Sequence, residues 1–337
     1  MTTSDCSFVL SVERGKLEAQ AVLLVESLRR FGGVYANCPV YAISPRRALQ
    51  MSRACQNVLK SLGVYVIIEE LLSTNEKYGS IARLVTCAWA EKYLTSEIIV
   101  SLDDDLFFAR EPDFALTKTD LFARPVDVKG MCTTGPNDYC DPYWRNIAQV
   151  CGVDYEQIPW IETTVDRVHV KASYNGGMIA VRRQLGLFQK AEHIHQILKS
   201  KDLSPRTASD IEVFASTGFV GSEASRWWGS SQAVLSLAAT QLEAIITIAP
   251  PNYNVPAHLI EYGEQNNSKI TIQDAIIVHY HWLLYKEYLK DGGVFYGGDT
   301  LPKQVLDWLK ARIPLRERYT WTSYVNARIR NMNEMGG

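Results

Sequence analysis

The sequence has no CxxC pair. Its seven cysteines, Cys6, Cys38, Cys55, Cys87, Cys132, Cys140 and Cys151, stand apart, and an odd number so spread resembles neither a disulfide framework nor a zinc knuckle. They are expected to be reduced thiols of a cytoplasmic protein. No stretch approaches the roughly 20 apolar residues of a membrane span. The opening MTTSDCSFVLSVERGK has too short an apolar run, and no basic segment before it, to act as a signal peptide, so the chain is expected to be soluble. Charge of one sign is also scarce: the formal net charge is -2, which leaves no basic field for a general nucleic-acid binder, and any anionic ligand must be met locally. Internal repeats and low-complexity tracts are absent. What remains, 337 residues with 47% hydrophobic and 21% charged, has the composition of a globular enzyme of one large or two ordinary domains.

Strand-like and helical patterns alternate through the first hundred residues. SFVLSV (7–12) reads as a buried strand, and LEAQAVLLVESLRRF (17–31) has apolar residues at helical spacing with a Gly32-Gly33 stop. PVYAI (39–43), a helical stretch over 48–63, VYVII (64–68), a helix over 81–94 and IIVSL (98–102) continue the pattern. Four strands with interleaved helices predict an α/β fold with a mostly parallel sheet. The second half predicts a strand at ASYNGGMIAV (172–181), helices near 183–199 and 231–242, and strands at AIITIA (244–249) and AIIVHYH (275–281). No linker stands out before about residue 290, which predicts one domain over 1–290 and a helical extension over 291–337.

Ligands of such sheets bind beyond the carboxyl ends of the strands, where Glu13 and the run Asp103-Asp104-Asp105 fall. Alternate members of a run can converge, so Asp103 and Asp105 can face one cation while Asp104 points elsewhere. A solvated acidic turn would look the same, although the apolar flanks argue against it. Arg83, on the helix before this strand, could hold a diphosphate or a carboxylate of the cluster. At the start of the later strand, Asn175 precedes Gly176 and Gly177, whose missing side chains let backbone amides approach a ligand. His279 and His281 fall on one face of the last predicted strand, and imidazole is a common partner of two carboxylates; periodicity does not choose between them. In RWWGSS (226–231) the tryptophans could form a wall for a sugar acceptor, with one of them expected in the core. The tail from Leu301 interleaves Arg312, Arg316, Arg318, Arg328 and Arg330 with Trp308, Trp321 and Tyr324; it could touch an anionic membrane surface or pack on its own domain.

An apolar strand ending in DxD, then YNGGMIAV, a helix opening with Gln232, PPNYN (250–254) and a late strand ending in HY occur in that order. Over about residues 7–287 the chain resembles the GT-A nucleotide-sugar glycosyltransferases, closest in layout to family 8 enzymes of the glycogenin and bacterial galactosyltransferase type. The resemblance implies a Rossmann-like sheet with flanking helices and a divalent ion, Mn²⁺ or Mg²⁺, on Asp103, Asp105 and His279. It also implies a UDP- or GDP-sugar donor and a carbohydrate or other hydroxyl acceptor. Val12 and Glu13 would line the nucleoside pocket. Arg83, Asp103, Asp104, Asn175, Gly176, Gly177 and, loosely, Lys286 would meet the rest of the donor.

The chain departs from that pattern where the family carries Asp-Gln, having Ser231-Gln232. Gln232 is then the expected polar group beside the reacting centre of a retaining enzyme. An inverting enzyme would need a carboxylate base, for which Asp210, near Glu212, is the candidate. Three rivals stand beside this reading. A nucleotidyltransferase would open with a Gly-rich phosphate loop, but VERGKLEAQ holds one glycine; a haloacid-dehalogenase-like phosphatase would need DxDx(T/V), but Phe107, after Asp105-Leu106, stands where Thr or Val is required; the third is a non-catalytic sugar-binding protein of the same fold.

Overall fold

The computed structural model describes residues 5–114, 116, 118–206, 213–266, 268, 270–281 and 300–312. In chain order the strands are β1 Cys6–Ser11, β2 Val40–Ser44, β3 Val64–Ile68, β4 Ile98–Leu102, β5 Leu106–Phe108, β6 Leu121–Pro125, β7 Trp160–Glu162, β8 His169–Lys171, β9 Tyr174–Arg182, β10 Phe214–Ala215, β11 Gly218–Phe219, β12 Ile246–Ile248, β13 Val255–Pro256 and β14 Ile277–His279. The helices are α1 Lys16–Phe31, α2 Arg53–Ser61, α3 Ser80–Tyr93, α4 Asp141–Cys151, α5 Leu187–Ser200, α6 Ser222–Arg226, α7 Ser230–Gln241, α8 Ile260–Gln265 and α9 Lys303–Arg312.

The large sheet has the order β12-β6-β9-β4-β1-β2-β3. Six strands run one way; β9 alone is antiparallel to its neighbours β4 and β6. The expected mostly parallel α/β sheet is therefore present, and its strands read as apolar runs because helices cover both faces. Alternation along β1 divides the core: Phe8 and Leu10 pack with α1 and α2, whereas Val9 packs with α3, α4, α5 and α7.

Local chemistry sets the element ends. Gly15, at φ 114, precedes α1, and its N–H donates to Glu18 Oε2 at 3.1 Å; the helix stops at Gly32, whose N–H donates to the Leu28 carbonyl at 2.9 Å. The helix predicted over 48–63 begins later, because Arg47–Leu49 form a 3₁₀ turn and Ser52 caps α2 by accepting the Cys55 N–H at 3.2 Å. The strand predicted to carry both His279 and His281 ends at His279, and the chain turns away at His281, which has φ 54.

A smaller sheet, β13-β14-β5, stands beside the large one. Its apolar residues join α1 and α9 in a third cluster that includes Leu23, Phe107, Val278 and Leu309. The expected boundary at 290/291 falls outside the described residues. Beyond it, α9 docks on α1: Trp308 meets Phe31 edge-on at 5.4 Å, and Arg312 Nε donates to Glu26 Oε2 at 3.1 Å. Trp308 and Arg312 thus face their own domain; Arg316, Arg318, Trp321, Tyr324, Arg328 and Arg330 lie outside the described residues. No described helix is long and apolar enough to cross a membrane, and all seven cysteines are buried free thiols.

Candidate active site

The three aspartates form the turn that carries the chain from β4 of the large sheet to β5 of the small one. The Asp103 N–H donates to the Gly177 carbonyl at 2.8 Å, which fastens the start of the turn to β9; the Asp105 carbonyl accepts the Tyr280 N–H at 3.1 Å. The antiparallel register of β5 with β14 sets Leu106 opposite His279, and this brings the imidazole beside Asp105. One ligand atom from each of Asp103, Asp105 and His279 lies within 4.8 Å of the others. Two carboxylates and an imidazole are a donor set for a hard divalent cation.

Electrostatics separate the three carboxyls. Burial alone would raise Asp105, but His279 Nε2 at 3.2 Å holds it well below the usual carboxylate range; burial would likewise depress His279, and Asp105 instead raises it to about 9. Burial, reinforced by Asp103 and Asp105, pushes Asp104 well above its ordinary value, and Asp104 Oδ1 has no hydrogen-bond partner. His258 stacks on His281 with ring centroids 4.6 Å apart and lies 6.3 Å from His279. Burial, then the two other imidazoles, lowers His258 to about 3.

These groups open into a cleft of ≈ 620 Å³. Arg83 reaches its wall from α3 and donates from Nη1 to Asp103 Oδ1, directly under Gly176. A Cβ on Gly176 would stand 2.1 Å from Arg83 Nη2, so only glycine leaves room for this ion pair. Asn175 Nδ2 donates to Asp127 Oδ2 at 2.7 Å, and Asn175 Oδ1 accepts the Gly177 N–H at 2.8 Å. Because β9 runs antiparallel, its first residues, not its last, reach the carboxyl end of β4. Glu13 lines the cleft and accepts two bonds from Arg46, at 2.6 and 2.5 Å. Val12 packs into the core instead, and its neighbours Ser11 and Glu13 reach the cleft. Gln232, in the first turn of α7, lines the cleft; Ser231 beside it is buried, its Oγ 2.9 Å from Tyr78 Oη. Of the two tryptophans, Trp227 is buried and Trp228 lines the cleft. Asp210, Glu212 and Lys286 lie outside the described residues.

Sequence reasoning missed the polar scaffold behind β9. Arg124, wholly buried on β6, donates from Nη1 to Asp127 Oδ1 and, at 3.1 Å, to the Asn254 carbonyl. Asp127 in turn holds Asn175, and the side chain of Asn254 packs against Gly177. The available signal was an arginine inside an apolar strand, LFARP, because a guanidinium is rarely buried without a carboxylate.

Residues 8–207 match the sequence family described as the Rhodobacterales glycosyltransferase domain. The chain belongs to that family. No curated protein matches the chain. The matched segment of this glycosyltransferase runs from β1 past α5 and contains Arg83, Asp103, Asp105 and Asn175 with its two glycines; Gln232 and His279 come after it. Membership makes the protein an enzyme of glycosyl transfer, which sets aside the nucleotidyltransferase, phosphatase and non-catalytic alternatives.

Proposed function

We propose that this glycosyltransferase has the GT-A layout, closest to family 8, and transfers the sugar of a UDP- or GDP-sugar to a hydroxyl acceptor with a divalent cation, Mn²⁺ or Mg²⁺. The observation that carries the reading is the convergence of Asp103, Asp105 and His279 within 4.8 Å at the carboxyl end of β4. The donor set fits such an ion: His279 now supplies the cationic partner of Asp105, and an imidazole that gives up that proton becomes a ligand. When bound, the cation supplies charge stabilisation for the diphosphate leaving group.

The chain's own residues are assigned the following work. Arg83 orients Asp103, and Gly176 keeps the backbone low enough for the donor's sugar to approach. Asn175, fixed by Asp127, presents the start of β9 to that sugar. Glu13 stands at the nucleoside end, its carboxylate held by Arg46, and Asp104 and Gly177 complete the donor side. Lys286 is proposed for the diphosphate. Trp228 offers an aromatic face to the acceptor, with Gln232 as the polar group nearest the reacting centre.

The retaining course is favoured by how the described carboxylates of the cleft are occupied. Glu13 is held by Arg46, Asp103 by Arg83, Asp105 by His279, and Asp127 by Arg124 and Asn175. Asp104 has an open oxygen but is assigned to the donor side. Proton NMR of the first-formed product reads the anomeric coupling; an inverted product, with an inactive Asp210→Asn variant, would make Asp210 the base. The site itself is tested with Asp105→Ala. The variant is expected to keep its fold and to lose Mn²⁺-dependent binding of a nucleoside diphosphate by calorimetry, and undiminished binding would reduce the cluster to an acidic turn.

A further inference from the structure

Among the described side chains that line the cleft, the arginines and lysine are Arg83, Lys129 and Arg206. Two of these have carboxylate partners: Arg83 pairs with Asp103, and Lys129 Nζ lies 3.0 Å from Asp138 Oδ2. Arg206 differs. Its Nε and Nη1 are shut off from solvent, and neither has a hydrogen-bond partner. The backbone at this residue is tethered, its carbonyl accepting from Ser204 Oγ at 2.9 Å, and the side chain lines the cleft with no carboxylate partner among the described residues. A guanidinium keeps its charge, and two of its nitrogens shut off from solvent without an acceptor cost stability. Of the carboxylates that line the cleft, Glu13 is engaged with Arg46 and Asp127 with Arg124.

We propose that Arg206 is an oxyanion-binding position of the cleft, which takes a phosphate or carboxylate oxygen of a substrate. The planar fork of the guanidinium fits either group, and a substrate anion removes the unpaired charge on binding. Two sources supply that chemistry: the diphosphate of the donor, or an acidic group on the acceptor. The inference rests on the cleft being the substrate site of the proposed transferase, but it does not require the donor to be a nucleotide sugar.

Inorganic phosphate is the probe. Titrated into the wild type, Arg206→Lys and Arg206→Gln, and followed by calorimetry, it is expected to bind the wild type about tenfold more tightly than the glutamine variant, with lysine between them. The ligand-free glutamine variant should also melt at a higher temperature than the wild type, because it no longer carries a charge without a partner among the described residues. Repeating the titration with saturating nucleoside diphosphate and Mn²⁺ separates the sources. Displacement of phosphate assigns Arg206 to the donor diphosphate; phosphate that still binds assigns it to an acidic acceptor. Should the nucleotide itself fail to bind, the donor reading falls while the phosphate comparison still decides on Arg206. Equal phosphate affinity in wild type and Arg206→Gln, or a lower melting temperature of the ligand-free variant, would overturn the proposal and make the arginine a structural group.

Discussion

His195 sits on α5 against Trp227, ring centroids 5.8 Å apart, and neither ring nitrogen has a hydrogen-bond partner. Burial lowers its pKa to about 4; Glu76 opposes the shift and Lys199 adds to it. A histidine depressed in the folded state is protonated first in the unfolded chain. Its contribution to stability is therefore complete above the ordinary 6.5 and is lost as pH falls through about 4. That difference corresponds to about 3 kcal/mol. His195→Phe should flatten the fall in stability between those pH values, measured by urea unfolding at several pH values; an unchanged acid limb would rule this origin out. At the metal cluster, His279→Ala is expected to weaken Mn²⁺ binding in the presence of a nucleoside diphosphate more than His281→Ala, because His279 alone shares the ligand cluster with both carboxylates. A reversed order in calorimetry would exchange their roles. Asp103 and Asp105 were legible because their convergence is local, two positions apart after a strand. Arg124, Asp127 and Arg206 were not: what matters about each is a partner, or a missing partner, set by folding across distant parts of the chain.

The β4–turn–β5 unit and the start of β9 depend on each other at the scale of elements. Gly176→Ala is expected to leave the sheet formed, because the clashing atoms belong to a side chain, but Arg83 must swing away from Asp103 to make room. Affinity for a nucleoside diphosphate with Mn²⁺ should fall while the melting temperature changes little; a large drop in melting temperature with unaltered affinity would show the glycine to be structural. The parallel strands and their helices were readable from alternating apolar runs with glycine and serine punctuation. The direction of β9 was not, since an apolar strand buried on both faces reads alike either way. The pairing of β5 with β14 was equally hidden, because three-residue strands carry too little pattern to announce a register.

Over the whole molecule, α9 closes the back of α1, far along the chain from the helix it covers. Trp308→Ala should cost about 3 kcal/mol as a cavity-forming change and leave nucleotide affinity unchanged, read by thermal unfolding and calorimetry. Loss of affinity at unchanged stability would instead tie α9 to the cleft. The sequence showed a helix here but not its seat, because aromatic and basic residues suit a membrane surface and a domain's flank equally well. The meeting of β5 and β14 also imposes a timetable on biosynthesis. The ribosome delivers β4 and its aspartates well before β14, and domains begin to fold as they emerge. Until residue 279 leaves the tunnel, Asp103 already has Arg83 within reach, but Asp105 stands beside two other carboxyls with no imidazole to oppose them. A nascent chain that has completed the family-matched segment thus holds a nearly finished sheet with an electrically unbalanced edge, and the late arrival of β14 acts as the latch.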